Sequence, residues 1–74
     1  MIDLDTRINI RKIREIKGFS QEYVATELSI STKSYSRIEC GETSLSVTRL
    51  KQIAAVFDVS VALIIEFDVK RLFA

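Results

Sequence analysis

Four serines, Ser20, Ser31, Ser46 and Ser60, each stand directly before a stretch in which apolar residues recur every three or four positions. This punctuation constrains the fold more than any other feature of the chain. The first N–H groups of a helix have no partner within it, and a serine at the N-cap accepts a hydrogen bond from one of them. The two glycines, Gly18 and Gly41, mark opposite ends. Each follows an apolar-periodic stretch, where a residue of left-handed conformation stops a helix at little cost. No proline interrupts any of these stretches. The pattern therefore predicts a compact, all-α arrangement of five short helices joined by short connections.

The first helix is expected over Thr6–Lys17, with Asp5 or Thr6 as its cap and Ile10 and Ile13 turned inward. The second begins at Gln21 and ends near Leu28, and buries Val24, Ala25 and Leu28. The third spans Thr32–Cys40 and buries Tyr35 and Ile38. The fourth spans Val47–Phe57, with Val47, Leu50, Ile53, Ala54 and Phe57 on one stripe. The fifth runs from Val61 to about Phe67, with Val61, Ile64 and Ile65 sharing a face. Tyr35 is expected in the core with its hydroxyl near the surface, and Tyr23 is expected to cover the first helix. The 74 residues read as one domain (core 6–67), with 68–74 a tail of open conformation.

Composition removes whole classes of chemistry. There is no histidine, and Cys40 is the single cysteine. Zinc sites, disulfides and Ser-His or Cys-His nucleophiles all need more. No glycine-rich phosphate loop occurs. Neither metal nor cofactor is expected, no catalytic residue is assigned, and the chain does not read as an enzyme. The longest apolar run, Val61 to Ile65, is far too short to span a bilayer. Asp3 and Asp5 at the start do not suit a secretory signal, and a free cysteine fits a reducing compartment. The expectation is a cytoplasmic protein.

The stretch from Ser20 to Gly41 carries the functional information. A helix, a three-residue turn (Ser29-Ile30-Ser31) and a second helix make a helix-turn-helix. Ala25 is small where the two helices meet, and Ile30 plugs the turn. Ser20-Gln21-Glu22-Tyr23-Val24-Ala25, Leu28, Ile30-Ser31, Tyr35-Ser36-Arg37-Ile38-Glu39 and Gly41 resemble the phage-repressor type of this motif. The resemblance continues through Ser46, Leu50, Ile53-Ala54 and Val59-Ser60, and covers about residues 10–65. It is to the lambda-repressor-like (Xre) five-helix DNA-binding domains.

The resemblance implies a double-stranded DNA partner, with the third helix in the major groove. By position it assigns Ser31, Thr32, Lys33 and Ser34 to the start of the recognition helix and Arg37 one turn later. Arginine holds guanine O6 and N7 with two parallel donors, lysine also reads guanine, and serine or threonine both donates and accepts. The resemblance places Gln21 against the DNA backbone, where it braces the recognition helix. It makes Arg14 and Glu39 an ion pair between the first and third helices. Cys40 reads as a small residue close to the DNA backbone, and Thr43 and Ser44 as donors in the following loop. Three departures stand out. Ser29 occupies a turn position usually held by glycine, Leu45 one usually held by proline, and Glu42 adds an acid to a loop that is often basic.

The formal charge of +1 is modest for a DNA-binding chain. Its distribution suggests more: Arg7, Arg11, Lys12, Arg14 and Lys17 cluster on the first helix against a single acid, Glu15. The fifth helix is apolar nearly all round, which points to a homodimer contact built from Leu63, Phe67 and the tail residues Leu72 and Phe73. The leading expectation is a sequence-specific transcriptional regulator, a repressor, acting as a homodimer. With no room for a ligand-sensing domain, its control is expected from concentration, a partner or proteolysis. The alternative is an antitoxin-like or adaptor module whose fifth helix and tail bind another protein.

Overall fold

A computed structural model describes residues 4–67. Five helices follow one another: α1 (Leu4–Lys17), α2 (Gln21–Glu27), α3 (Thr32–Cys40), α4 (Val47–Phe57) and α5 (Val61–Glu66). No strand occurs among the described residues. All four serines act as N-caps. The Oγ atoms of Ser20, Ser31, Ser46 and Ser60 accept from the backbone N–H of Tyr23, Ser34, Arg49 and Leu63, each at 3.0 Å. Each of these helix starts is thus satisfied locally, within its own first turn.

The helix ends divide by residue type. Gly18 and Gly41 take φ values of +76° and +80°, which cost a glycine little. Ser29 (φ +60°) and Asp58 (φ +57°) adopt the same left-handed conformation with a side chain attached. At Ser29 the turn is held by two backbone bonds, Ser29 N–H to Thr26 O and Ile30 N–H to Ala25 O, both at 3.0 Å. The departure from glycine at this position therefore leaves the turn intact and stores a modest strain.

The core gathers one stripe from every helix: Ile10 and Ile13, Val24 and Ala25, Tyr35 and Ile38, Leu50, Ile53, Ala54 and Phe57, and Ile64. Leu45, from the loop before α4, joins them. Phe19, Leu28, Ile30, Val56, Val59, Val61 and Phe67 pack around it. α1 lies against both α3 and α5, so the third and last helices share one backing. Asn9 of α1 ties that contact by donating to Ile64 O at 2.8 Å.

Several expectations need correction. Helix α1 already includes Leu4, so Asp5 and Thr6 lie inside its first turn and do not cap it. Val47 is exposed: the first residue of α4 projects beyond the core that the rest of its stripe enters. α5 stops at Glu66, and Phe67 (φ −59°, ψ 130°) leaves the helical conformation. Ile65 is exposed and does not share the buried face of Ile64. Tyr35 is wholly buried, hydroxyl included. Tyr23 packs against Phe19 of the α1–α2 connection, with ring centroids 4.8 Å apart and planes tilted by 43°. The tail 68–74, with Leu72 and Phe73, lies outside the described residues.

Candidate nucleic-acid interface

Helical period sorts the residues of α3. Tyr35, Ile38 and Glu39 turn inward, while Thr32, Lys33, Ser34 and Cys40 are exposed and Arg37 is half-exposed; the cap residue Ser31 is exposed as well. The cap sharpens the amino end, where Ser31 Oγ takes the Ser34 N–H and also donates to Ser34 Oγ at 2.9 Å. At the other end Gly41 N–H meets Ile38 O at 3.2 Å and Glu42 N–H meets Arg37 O at 2.9 Å. This paired closure on a left-handed glycine turns the chain sharply out of the helix.

The turn brings α3 beside the start of α4. Between them opens a cleft of about 360 Å³, with Ser34 and Arg37 on one wall and Thr43, Ser44, Ser46 and Arg49 on the other. Ile30 and Ile38 also line it. Arg37 Nε stands 3.9 Å from Glu42 Oε2, and both side chains are about half exposed or more. An ion pair this open contributes little to stability. Arg49 is the residue that sequence reasoning missed. It is half-buried, and its guanidinium bonds Gln52 Oε1 at 3.0 Å. The available signal was its place in the first turn after the Ser46 cap, beside the loop of Thr43 and Ser44.

Behind α3 the inward Glu39 holds a polar cluster. Arg14 Nε donates to Glu39 Oε2 at 2.7 Å and Arg14 Nη2 to Oε1 at 3.3 Å. Gln21 Nε2 donates to the same Oε1 at 3.2 Å, and Arg14 Nη1 to Phe19 O at 2.8 Å. The side chains of Arg14 and Glu39 are only 12% and 3% exposed. The hydrogen bond to Glu39 raises the Arg14 pKa above its ordinary value, against the opposing effect of burial. One carboxylate thus joins α1, α2 and α3. Arg11, Arg14, Gln21, Glu39 and Cys40 surround a second cleft of about 340 Å³ at this junction. The Tyr35 hydroxyl lies buried nearby and finds no hydrogen-bond partner among the described residues. Burial first, and the Glu39 carboxylate second, push its pKa well above the tyrosine range.

Of the five cations of α1, Arg11, Lys12 and Lys17 are exposed, while Arg7 and Arg14 are drawn inward. Arg7 is buried at 8% exposure. Its guanidinium donates to Ile38 O and, at 2.7 Å, to Thr43 O. Arg14 is committed to Glu39. Arg11 and Lys12 both lie near Glu15, at 3.6 and 3.8 Å. Position along a helix does not reveal that an arginine points inward when its partners are backbone carbonyls 31 and 36 residues away.

A helix-turn-helix family model, of the lambda-repressor (Xre-like) type, matches residues 10–64, which is most of the chain. The chain belongs to this family. Its all-α, five-helix architecture is that of the family, and its helix-turn-helix is a DNA-binding, transcription-regulating module. No protein of curated function matches the chain. Among the described residues, no helix is long and apolar enough to cross a membrane, and no group of histidine, cysteine and acid side chains is placed to hold a metal ion.

The face expected to form a dimer is divided. Leu63 and Ile65 are exposed at 44% and 51%. Phe67, in contrast, is half-buried against the protein's own core. As Phe67 is not free, the exposed apolar surface of α5 centres on Leu63 and Ile65.

Proposed function

We propose that this helix-turn-helix protein is a repressor that binds specific double-stranded DNA as a homodimer and reads the major groove with α3. The observation that carries this reading is the outward face of α3. Ser31, Thr32, Lys33, Ser34 and Arg37 are presented there, beside a cleft whose other wall carries Arg49, Thr43 and Ser44. Arg37 and Lys33 are the base readers, each suited to guanine. Ser31, Thr32 and Ser34 supply shorter donors and acceptors. Thr43, Ser44 and Arg49 meet phosphates, which fix register without reading sequence. Gln21 reaches the backbone from the start of α2 while it braces Glu39, and Cys40 packs close to the backbone at the far end of α3. Leu63 and Ile65 join two copies so that two recognition helices lie about 34 Å apart, one turn of DNA.

Selection of binding sites from a random duplex library tests this reading. A palindromic site is expected, and Arg37→Ala should relax the preference for guanine at one position of each half-site. Affinity should fall linearly with salt in log–log coordinates as counterions are released. An adaptor role draws support from the same exposed Leu63 and Ile65. If the chain binds no duplex, random or selected, at about 50 mM salt, the adaptor reading replaces this one.

A further inference from the structure

We infer that Arg7 is a positioning residue for DNA binding, a clamp that fixes the loop after the recognition helix against the end of that helix. The inference rests on the DNA-binding role proposed for the face formed by α3 and its following loop.

Three observations converge on Arg7. Its guanidinium donates to Ile38 O, in the last turn of α3, and to Thr43 O, in the loop beyond. Its stem runs under Gly41: a Cβ there would stand 3.7 Å from Arg7 Cδ and 3.9 Å from Nε. Finally, Arg7 is buried, yet it forms no ion pair with a carboxylate among the described residues. Desolvating a cation costs free energy, and neutral carbonyls repay less of it than a carboxylate would. A purely apolar side chain at this point would bury the same surface without that cost. The guanidinium does what such a side chain cannot. Its planar fork spans two carbonyls on separate segments and holds them at fixed separation. Its charge also complements the carboxyl end of α3, where unsatisfied carbonyls concentrate.

The consequence reaches the reading face. Ile38 and Thr43 both line the cleft that separates Ser34 and Arg37 from Ser44 and Arg49. Holding Ile38 O and Thr43 O to one guanidinium therefore sets the width of that cleft. The loop carries no basic side chain, so its hold on phosphate depends on hydroxyl and backbone donors, which act only over short distances. A displacement of the loop by about an ångström would break such hydrogen bonds, whereas a long lysine would follow.

The test compares wild type, Arg7→Met and Arg7→Lys on a selected operator duplex and a random duplex, at a temperature where circular dichroism shows each variant fully folded. Methionine keeps the stem, and lysine keeps the charge without the fork. Both are expected to weaken operator binding, Arg7→Met by roughly tenfold, as for the loss of one or two hydrogen bonds. A structural role alone would act equally on every contact. A clamp couples to the loop, so Ser44→Ala should cost less affinity in the Arg7→Met background than in wild type. Folded variants with wild-type operator affinity, or full additivity with Ser44→Ala, would overturn the inference. So would failure of both variants to fold, which would make Arg7 a residue of the core alone. Failure of wild type itself to bind any duplex is a separate result, and it would remove the DNA-binding role on which the clamp rests.

Discussion

Glu39 shows how one side chain can set the posture of a recognition helix. Its carboxylate takes bonds from Arg14 and Gln21 while only 3% exposed, so it anchors α3 to α1 and α2 from behind. Breaking a buried pair leaves a charge without compensation, which is far more costly than replacing both partners. Glu39→Ala is therefore expected to lower unfolding free energy by about 3–5 kcal/mol, and Arg14→Met/Glu39→Leu by distinctly less. Urea denaturation of the three proteins measures the difference; equal losses would show that the pair is only packing. Tyr35 makes a complementary case. An unfolded tyrosine ionises near pH 10, while burial keeps the folded Tyr35 protonated well above that. Above about pH 10 the unfolded chain thus releases a proton that the folded chain retains. Stability is undiminished below that pH and falls as pH rises beyond it. Tyr35→Phe should remove this slope. At neutral pH it should leave stability unchanged or raise it, because the buried hydroxyl has no hydrogen bond to lose. Urea midpoints measured on both sides of pH 10 decide the matter.

Individual helices combine two roles that substitution can separate. Ser31 caps α3 and also stands at the end of α3 proposed to meet base edges. Ser31→Ala should cost about 1 kcal/mol of stability. Ser31→Asp should keep the cap, since a carboxylate also accepts from the Ser34 N–H and suits the helix dipole. It should still weaken DNA binding, because it adds a negative charge facing phosphates. Thermal melts and duplex titrations on the two variants read the roles separately; unimpaired binding by Ser31→Asp would place the α3 amino end away from DNA. The helices themselves were legible in the sequence because their signals are local. A serine cap acts within three residues and a left-handed glycine within one, so both bounds of α3 and the start of α4 follow directly. Legibility failed where the deciding contact was distant. Arg7 read as part of a basic cluster, Arg49 carried no assignment, Val47 read as core, and Phe67 as a dimer contact. For Arg7 the deciding partners lie 31 and 36 residues away, beyond the reach of any local pattern. Ser29 lies between the cases: the turn was readable, and its left-handed φ with a side chain attached makes Ser29→Gly a stabilising change of up to about 1 kcal/mol.

At the scale of the whole molecule, the small net charge leaves little for general attraction to DNA. Arg7 and Arg14 are consumed inside the fold, and Arg11, Lys12 and Arg37 have acids nearby. Each phosphate neutralised contributes about 0.9 to the salt slope, so a single copy of net charge +1 is expected to have a shallow slope and weak non-specific binding. In the proposed dimer, affinity would come from joining two copies, because the second half-site binds at high effective concentration once the first is engaged. On α5 the apolar side chains available for this are the exposed Leu63 and Ile65, either side of the fully buried Ile64. Leu63→Asp changes only the outward face, so the fold should survive with its helix content intact. The variant is expected to sediment as a monomer where wild type sediments as a dimer, and to bind a palindromic operator at least about tenfold more weakly. Its affinity for a single half-site should stay close to that of wild type, because α3 and the cleft beside it are untouched. A wild-type chain that remains monomeric at micromolar concentration, with and without operator, would remove the dimer. A variant that loses half-site binding as well would place Leu63 in the DNA-binding surface instead.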